Sequence, residues 1–310
     1  MTGTVDRLVA TTPTNFGVQR MLPPNAWKPD ADSVLAAVAE LGYDGIALGP
    51  PGYLGTRHEL DVSLADRELV LVEAFLPFHF SRNDLFGEEL AALQTALSLL
   101  ADRAFSPFAV LSEGFREPGR WEQAGRVRGT EGERLPSARF AALVSNLHRA
   151  ADACLDAGLR PVLHHHAGTL VETDYEIRRV VEAMDTDRVG LCLDTAHAWI
   201  GGADPLALVR DFGDIIRHVH VKDLSFQRLQ QGTGLRHDLT QLTIEKVFVP
   251  LGTGDGMIAK AVARLERTGY RGWYVVEQDR LLFDDDALDS VLDDQRRNLE
   301  FLRGVEAPGA

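Results

Sequence analysis

The sequence has few cysteines and no long apolar run. Its 310 residues include only Cys154 and Cys192, each inside an apolar pattern, which indicates buried thiols in a reducing compartment rather than a disulfide framework. No apolar run reaches the roughly 18 residues that a membrane-spanning helix needs. The first residues lack the basic stretch and apolar core of a signal peptide. We therefore expect a cytoplasmic protein with no membrane partner.

Positive charge is scarce too. The chain has 32 Lys and Arg residues against 46 Asp and Glu residues, a net charge of −14. That balance disfavours a nucleic-acid partner, because phosphate binding relies on concentrated Lys and Arg. It suits a neutral small-molecule substrate. With 45% hydrophobic residues the chain can bury a large core, and we expect residues 1–310 to form a single domain.

Short β-rich runs alternate with amphipathic helical patterns along the whole chain. The candidate strands are residues 8–12, 45–48, 69–76, 108–113, 161–166, 189–194, 216–221 and 272–277. The candidate helices are residues 31–41, 87–101, 138–157, 174–184, 205–212, 256–268 and 286–302. Strands that are apolar throughout indicate a parallel sheet covered by helices. No glycine-rich dinucleotide motif follows the first strand, so the pattern predicts a closed (β/α)8 TIM barrel.

Two long segments interrupt this alternation. Residues 114–136 follow the fourth candidate strand and are rich in Gly, Arg and Glu. Residues 224–253 follow the seventh and mix Gln, Gly, His and Thr. Segments that follow strands lie on the catalytic face of a barrel, where loops set substrate choice. We predict two loop insertions on the active-site face; for residues 114–136 a disordered surface loop is the alternative.

Asp194, His220 and Glu277 lie at the carboxyl ends of three of the candidate strands. The carboxyl ends of the strands meet at one end of a barrel, which is the usual place of its catalytic site. Carboxylate and imidazole groups brought together there predict a bound divalent metal ion. The alternatives are that Asp194 only caps the following helix and that Glu277 pairs with Arg280.

Further histidines and a lysine accompany these strand ends. Side chains alternate along a strand, so His164 and His166 share one face of theirs, and His218, His220 and Lys222 share one face of another. We predict that one of His164 and His166 binds metal and the other transfers protons, with the choice open. His218 is expected to lie deeper in the barrel. Lys222 either reaches the substrate or is solvated.

Other polar residues lie near this predicted site. His197 follows Asp194 by three residues, and Glu113 ends the fourth candidate strand directly before an insertion. Either Glu113 or Glu73 can orient a metal-bound histidine. Of the two, we favour Glu113 because the insertion follows it at once. His79 is a lesser candidate.

Seven short motifs follow one another in order in the second half of the chain. They are His-His-His-Ala-Gly-Thr-Leu-Val-Glu at 164–172, Leu-Asp-Thr-Ala-His at 193–197, Gly-Gly-Ala-Asp-Pro at 201–205, His-Val-His-Val-Lys-Asp at 218–223, Val-Phe-Val-Pro at 247–250, Gly-Asp-Gly at 254–256 and Gly-Trp-Tyr-Val-Val-Glu-Gln-Asp at 272–279. Together they resemble the inosose dehydratases, a branch of the xylose isomerase-like TIM barrel superfamily. The N-terminal third resembles only the superfamily.

The resemblance implies a metal-dependent lyase that dehydrates a keto-cyclitol (an inosose) or a similar polyhydroxy ketone. The implied metal ligands are Asp194, His220 and Glu277, with His164 at the position where the superfamily usually has glutamate. The implied ion is Mn²⁺ or Co²⁺, with Mg²⁺ or Zn²⁺ as alternatives. The implied partner is a small polyol or keto-sugar, and a homo-oligomer is left open.

The roles of the remaining residues are assigned from their places beside the expected ligands. The catalytic candidates are His166, Lys222 and Glu277, and the substrate-binding candidates are Glu113, His197 and Lys222. A sugar epimerase or isomerase of the superfamily is the alternative function. It needs a base on each side of an enediolate, and histidine at position 164 favours elimination instead. A non-catalytic sugar-binding barrel is a third interpretation, which the intact ligand set disfavours.

Overall fold

A computed structural model describes residues 6–20, 22–129, 135–284 and 288–306. In these residues the chain forms ten strands and eleven α-helices. The strands are β1 (Val9–Thr11), β2 (Gly45–Ala47), β3 (Val70–Phe78), β4 (Phe108–Glu113), β5 (Arg160–His164), β6 (Gly190–Asp194), β7 (Ile216–Val221), β8 (Asp223–Leu224), β9 (Phe248–Val249) and β10 (Tyr274–Val276). The helices are α1 (Ala31–Leu41), α2 (Arg57–Ala65), α3 (Asn83–Leu100), α4 (Ser137–Asp156), α5 (Asp174–Ala183), α6 (Thr195–Ile200), α7 (Pro205–Phe212), α8 (Phe226–Gly234), α9 (Leu239–Ile244), α10 (Ile258–Arg267) and α11 (Leu288–Gly304).

Eight of these strands close into a barrel in the order β1–β10–β7–β6–β5–β4–β3–β2. Every pairing around the barrel is parallel. The predicted (β/α)8 barrel is therefore confirmed. The end of β5 differs from the predicted strand at residues 161–166. β5 stops at His164, so His165 and His166 lie in the segment that follows.

The inside of the barrel is filled by a small cluster of side chains from its strands. Its members are Ala10, Val72, Phe108, Val110, Val162, Cys192, Trp273 and Val275. Side chains two residues apart on a strand face the same way. His164 and Asp194 are therefore the next inward positions after Val162 and Cys192, toward the carboxyl ends of β5 and β6. The apolar floor beneath the polar site follows from this alternation.

Strand β3 contains an extra residue relative to β2. Ile46 lies opposite Leu71, whereas the next residue, Ala47, lies opposite Glu73. The irregularity lets Val72 and Glu73 both face inward: Val72 joins the interior cluster and Glu73 reaches the cavity above it. A β-bulge of this kind re-aims the side chains that follow it.

The second predicted insertion is not a loop. Residues 224–253 contain α8 and α9, and β9 pairs with β8 in an antiparallel ribbon. Ser225 and Asp238 cap the two helices by accepting from backbone amides three residues on. In the first insertion a 3₁₀ turn covers Trp121–Gln123, and residues 130–134 lie outside the described residues. Nowhere in the described ranges is a helix long and apolar enough to cross a membrane.

Asp223 ties the second insertion to the barrel. Its buried carboxylate accepts hydrogen bonds of 2.8–3.1 Å from the amides of Leu224, Gly252, Gly254 and Gly256. A Cβ atom at Gly254 or Gly256 would lie 2.5 or 2.7 Å from Asp223 Oδ1, so only glycine allows this close approach. The carboxylate thus fixes the Gly-rich segment against β8.

Replacing Asp223 by Ala is expected to lower the free energy of unfolding by about 3 kcal/mol, because four backbone amides lose a charged acceptor. Urea unfolding measures the change. Asp255→Asn is the matched control, since Asp255 lies in the same segment, is exposed and accepts from the amide of Phe226. Equal stability of the Asp223 variant and the control would contradict the prediction.

Candidate active site

A cavity opens at the carboxyl ends of the barrel strands. Its wall includes Glu73, His164, His220, Lys222 and Glu277. The centre of a water-sized sphere can reach about 140 Å³ inside it. One water needs about 10–15 Å³ by that measure, so the cavity has room for a ligand many times larger. The structure therefore provides a cavity of small-molecule size where the sequence predicts the chemistry.

Three predicted ligands converge on this cavity. One atom of each of Asp194, His220 and Glu277 lies within 4.8 Å of the others. His220 Nδ1 is 3.3 Å from Glu277 Oε1 and 4.0 Å from Asp194 Oδ2. They meet because β7, which carries His220, pairs with β6 on one side and with β10 on the other. Two carboxylates and one imidazole at such distances can share one divalent ion.

The pattern of hydrogen bonds supports a cation at this point. Among the described residues, neither ring nitrogen of His164 has a hydrogen-bond partner, and the same is true of His220 Nδ1 and Asp194 Oδ2. Buried polar atoms are nearly always satisfied. His164 Nε2 lies 3.7 Å from Asp194 Oδ2, so these unsatisfied atoms face one another. A divalent ion bound by His164 Nε2, His220 Nδ1 and Asp194 Oδ2 would satisfy these three atoms together, and the residues fit it.

His164 and His166 occupy different positions. His166 also lines the cavity, but its ring stacks on His197 at a centroid distance of 3.7 Å and its Nδ1 lies 2.7 Å from the carbonyl oxygen of Ala167. His164 is the one that faces Asp194. The choice that the sequence left open therefore falls on His164 as the nearer candidate ligand.

Lys222 lies among the carboxylates of the site. Its Nζ is 2.6 Å from Glu277 Oε2, 2.9 Å from Asp279 Oδ2 and 3.5 Å from Asp194 Oδ2. Its Nζ is also 3.1 Å from Nε2 of His197. The side chain is only 1% exposed, so it is not the solvated lysine of the alternative interpretation.

These charges hold one another ionised. Burial disfavours the Lys222 ammonium, yet the surrounding carboxylates, led by Asp194, keep its pKa well above the usual value. Burial likewise disfavours the Asp194 carboxylate, but the charge of Lys222 keeps its pKa well below the usual value. Burial raises the pKa of Glu277. The site thus contains a buried ammonium beside a carboxylate that accepts protons more readily than usual.

His197 is buried behind the cavity rather than on its wall. It contacts His166 and Lys222, and its Nδ1 accepts a hydrogen bond from the amide of Ala167. The predicted direct contact of His197 with substrate is therefore not supported by its position. It instead packs against two residues that do line the cavity.

Glu113 requires a larger correction. Val110 faces the barrel interior, so Glu113, three residues on, faces the surrounding helices. There Ser81 Oγ donates to its Oε1 at 2.8 Å and Arg139 in turn donates to Ser81. The sequence-based choice of Glu113 over Glu73 as a site residue was wrong, because the alternation along β4 turns Glu113 outward and the bulge in β3 turns Glu73 inward.

The buried position of Glu113 predicts a pH effect on stability. Burial raises its pKa from 4.5 to about 8. Between these values the folded protein keeps a proton that the unfolded chain releases, so stability falls as the pH rises through this window. Glu113→Gln mimics the protonated form and should become progressively more stable than wild type between pH 5 and pH 8, as urea unfolding at both values can show.

Glu117→Gln is the control for this pH effect. Its hydrogen bonds with Arg139 lower the pKa of Glu117, so its titration lies below pH 5. The Glu117→Gln change in stability should be equal at pH 5 and pH 8. A pH-independent effect of Glu113→Gln as well would contradict a raised pKa at Glu113.

Aromatic side chains form one wall of the cavity. Phe75 stacks on Phe115 at 6.0 Å, and Phe115 meets Trp121 edge to face at 5.3 Å. The Trp121 indole N–H donates to Thr240 Oγ1 at 3.1 Å. Trp121 belongs to the first insertion and Thr240 to α9 in the second, and both line the cavity. The two insertions therefore meet over the site.

The closed parallel barrel, with ionisable side chains gathered at the carboxyl ends of its strands, defines a TIM barrel enzyme with a candidate divalent-metal site. Residues 35–304 match the model of the xylose isomerase-like TIM barrel family. The inosose dehydratase of Geobacillus kaustophilus (strain HTA426) is 31% identical over 255 residues, which cover 80% of this chain and 80% of that protein. The chain belongs to the xylose isomerase-like TIM barrel family, in its inosose dehydratase branch.

Solved structures share the fold at lower identity. A D-allulose 3-epimerase from Methylomonas sp., in complex with D-allulose, matches with a TM-score of 0.69 at 18% identity and covers 96% of this chain and 97% of its own. The IolI protein, solved with a bound zinc atom, matches with a TM-score of 0.69 at 16% identity and covers 96% and 98%. At these identities the likeness concerns the barrel alone.

Proposed function

We propose that the protein is a metal-dependent lyase that dehydrates an inosose or a similar polyhydroxy cyclic ketone. The observation that carries this proposal is the convergence of Asp194, His220 and Glu277 beside the buried Lys222, with His164 Nε2 3.7 Å from Asp194. The similarity to an inosose dehydratase over most of both chains supports the same substrate class.

His164, Asp194, His220 and Glu277 would hold the divalent ion. When bound there, such an ion polarises a substrate ketone and stabilises the negative charge that develops as the α-proton leaves. Mn²⁺ or Co²⁺ is the proposed ion, because mixed carboxylate and imidazole ligands suit them. Cys192 lies near His164 and His220, but thiolate is a soft ligand, whereas Mn²⁺ prefers carboxylate oxygens.

Glu277 and Lys222 are the proposed proton-transfer groups. The Glu277 carboxylate takes the α-proton, and the Lys222 ammonium gives a proton to the β-hydroxyl, which leaves as water. The product is an enol that tautomerises to a dione. Because the two groups are 2.6 Å apart, the proton on Glu277 can pass to Lys222 and restore both. Acid and base then act from the same side of the substrate ring.

His166 is the alternative acid. It lines the cavity opposite the ring of Phe115, with ring centroids 5.0 Å apart. Burial lowers its pKa to about 4, which leaves it neutral at pH 7 and makes Lys222 the better proton donor. His166 is accordingly assigned to substrate positioning.

Incubation with scyllo-inosose in D₂O tests the reaction. Dehydration releases water from the substrate and produces a dione that absorbs in the near ultraviolet. A deuterated but undehydrated epimer would assign the protein to the epimerase alternative instead. Absence of reaction with every inosose and ketohexose, in the presence of Mn²⁺ or Co²⁺, would overturn the proposal.

The aromatic wall predicts the effect of one substitution on substrate binding. Trp121→Ala should raise KM about fivefold with little change in kcat, because covering the C–H face of the substrate contributes on the order of 1 kcal/mol and Trp121 belongs to an insertion, whereas Lys222 and Glu277 follow β7 and β10. Thr240→Val removes only the acceptor of the indole hydrogen bond and should raise KM less. Unchanged KM in both variants would show that the two insertions do not contribute to substrate binding.

The remaining assignments are proposals of the same kind. The partner is a small neutral polyol or keto-sugar rather than nucleic acid, consistent with the net charge of −14. Reduced Cys154 and Cys192 in the described part of the chain suit a cytoplasmic location. Light scattering measures the oligomeric state, for which a monomer and a homo-oligomer are the two alternatives.

A further inference from the structure

Beneath the candidate metal site lies a second buried cluster, formed by Glu73, His218 and His220. Oε2 of Glu73 is in hydrogen-bond contact with Nε2 of His218 and lies 2.9 Å from Nε2 of His220. All three residues are at most 1% exposed. A single carboxylate oxygen therefore accepts from two imidazoles inside the barrel.

This contact determines which nitrogen of His220 carries a proton. A carboxylate only accepts hydrogen bonds, so the nitrogen that faces Glu73 must be the N–H donor. In neutral imidazole the other nitrogen, Nδ1, then has a free lone pair. His220 Nδ1 faces Glu277 Oε1 at 3.3 Å and Asp194 Oδ2 at 4.0 Å, and it has no hydrogen-bond partner among the described residues.

We propose that Glu73 is a positioning residue that fixes His220 in the tautomer whose Nδ1 binds the metal ion, and that His218 holds the Glu73 carboxylate in place for this task. The inference rests on the metal site of the proposed function. It adds two residues that do not touch the ion but decide whether His220 can bind it.

His218 is suited to this supporting task by its own packing. Its ring stacks on Phe108 at a centroid distance of 4.1 Å, which fixes the ring plane at the bottom of the cluster. Its Nε2 donates to the same oxygen of Glu73 as His220 does. The carboxylate is therefore held from below by one histidine and orients the other above it.

The test measures metal affinity rather than turnover. Full-length protein is stripped of metal and titrated with Co²⁺, with heat and visible absorption as readouts. Glu73→Leu removes the acceptor and should raise the Kd for Co²⁺ about 10–100-fold, the usual effect of losing a residue that orients a ligand. Glu73→Gln keeps an oxygen acceptor without the charge and should raise the Kd about tenfold, the low end of that range.

Glu113→Gln is the matched control. Glu113 and Glu73 are both glutamates that are 1% exposed and lie on neighbouring strands, but Glu113 faces the helices. Its substitution should leave the Kd for Co²⁺ within twofold of wild type. In the Zn²⁺-loaded protein, ¹⁵N NMR of the histidine rings should show His220 bound through Nδ1 and protonated at Nε2.

Several results would overturn the inference alone: a folded Glu73→Leu with a Kd within twofold of wild type, His220 bound through Nε2, or two Co²⁺ ions per chain, which would place metal in the second cluster. If Glu73→Leu does not fold, Glu73→Gln decides by the same twofold criterion. Wild-type protein that binds no Co²⁺ would instead overturn the proposed metal site, and the inference with it.

Discussion

Asp194→Asn is expected to lower the affinity for a divalent ion more than 100-fold and to abolish turnover, while the fold persists. Oδ1 of Asp194 accepts from the amides of Ala196 and His197 at 2.9 and 2.8 Å and so caps α6. Oδ2 faces His164, 3.7 Å from its Nε2. Asparagine keeps an oxygen for the cap but loses the charge. Because loss of an orienting residue alone costs about 10–100-fold, loss of a ligand charge costs more.

Metal content after gel filtration measures the loss of the ion, and circular dichroism measures whether the fold persists. His220→Ala should lose metal in the same way. Asp204→Asn is the control, because Asp204 caps α7 by accepting from the amide of Leu206 at 2.8 Å and contributes nothing to the cavity wall. Full metal occupancy in both Asp194→Asn and His220→Ala would show that the ion does not bind at this position.

Lys222→Met is expected to lower kcat by about 10²–10⁴-fold, the range for loss of a general acid. Methionine has a similar length and no charge, so the buried space remains filled. The ammonium now lies 2.6 Å from Glu277 and 2.9 Å from Asp279. Its removal takes away a positive charge that competes with the ion for these carboxylates. Metal affinity should therefore be retained or increase while turnover collapses.

Steady-state kinetics at saturating Co²⁺, with metal content measured in parallel, separates these effects. Lys260→Met is the control, because Lys260 is an exposed residue of α10 that does not line the cavity. Loss of metal together with turnover in Lys222→Met would assign the lysine to the structure of the site instead of to proton transfer. Wild-type kcat would exclude it from both.

Strand-end chemistry was predictable because a parallel barrel leaves little freedom there. Once apolar runs are assigned to strands, the residues at their carboxyl ends must meet, which is why Asp194, His220 and Glu277 were found without coordinates. Lys222 was predicted because it is two residues beyond His220, directly after the end of β7. Helices α1 and α7 were predicted with the bounds that the structure gives.

The errors have local causes. Helices α8 and α9 are only nine and six residues long, too short for the apolar repeat of a longer helix to be recognised, although Asp238 and Gln241 form a capping box that marks the start of α9. Glu113 was chosen because an insertion follows it in the sequence. Side chains alternate along β4, however, and this alternation turns Glu113 outward. Glu73 was underrated because a bulge cannot be read from residue types.

The extra residue in β3 also matters for how relatives are aligned with this chain. Ile46 pairs with Leu71 and the next residue, Ala47, pairs with Glu73, so Val72 has no partner on β2. Val72 and Glu73 can therefore both face inward. In a homologue whose third strand lacks that residue, an ungapped alignment would pair Glu73 with a side chain that points toward the helices. The equivalent carboxylate must then be sought one column away. A relative that keeps the carboxylate but lacks the extra residue should be recognised by a single-residue gap inside the strand, a place where alignments are ordinarily forbidden to open one.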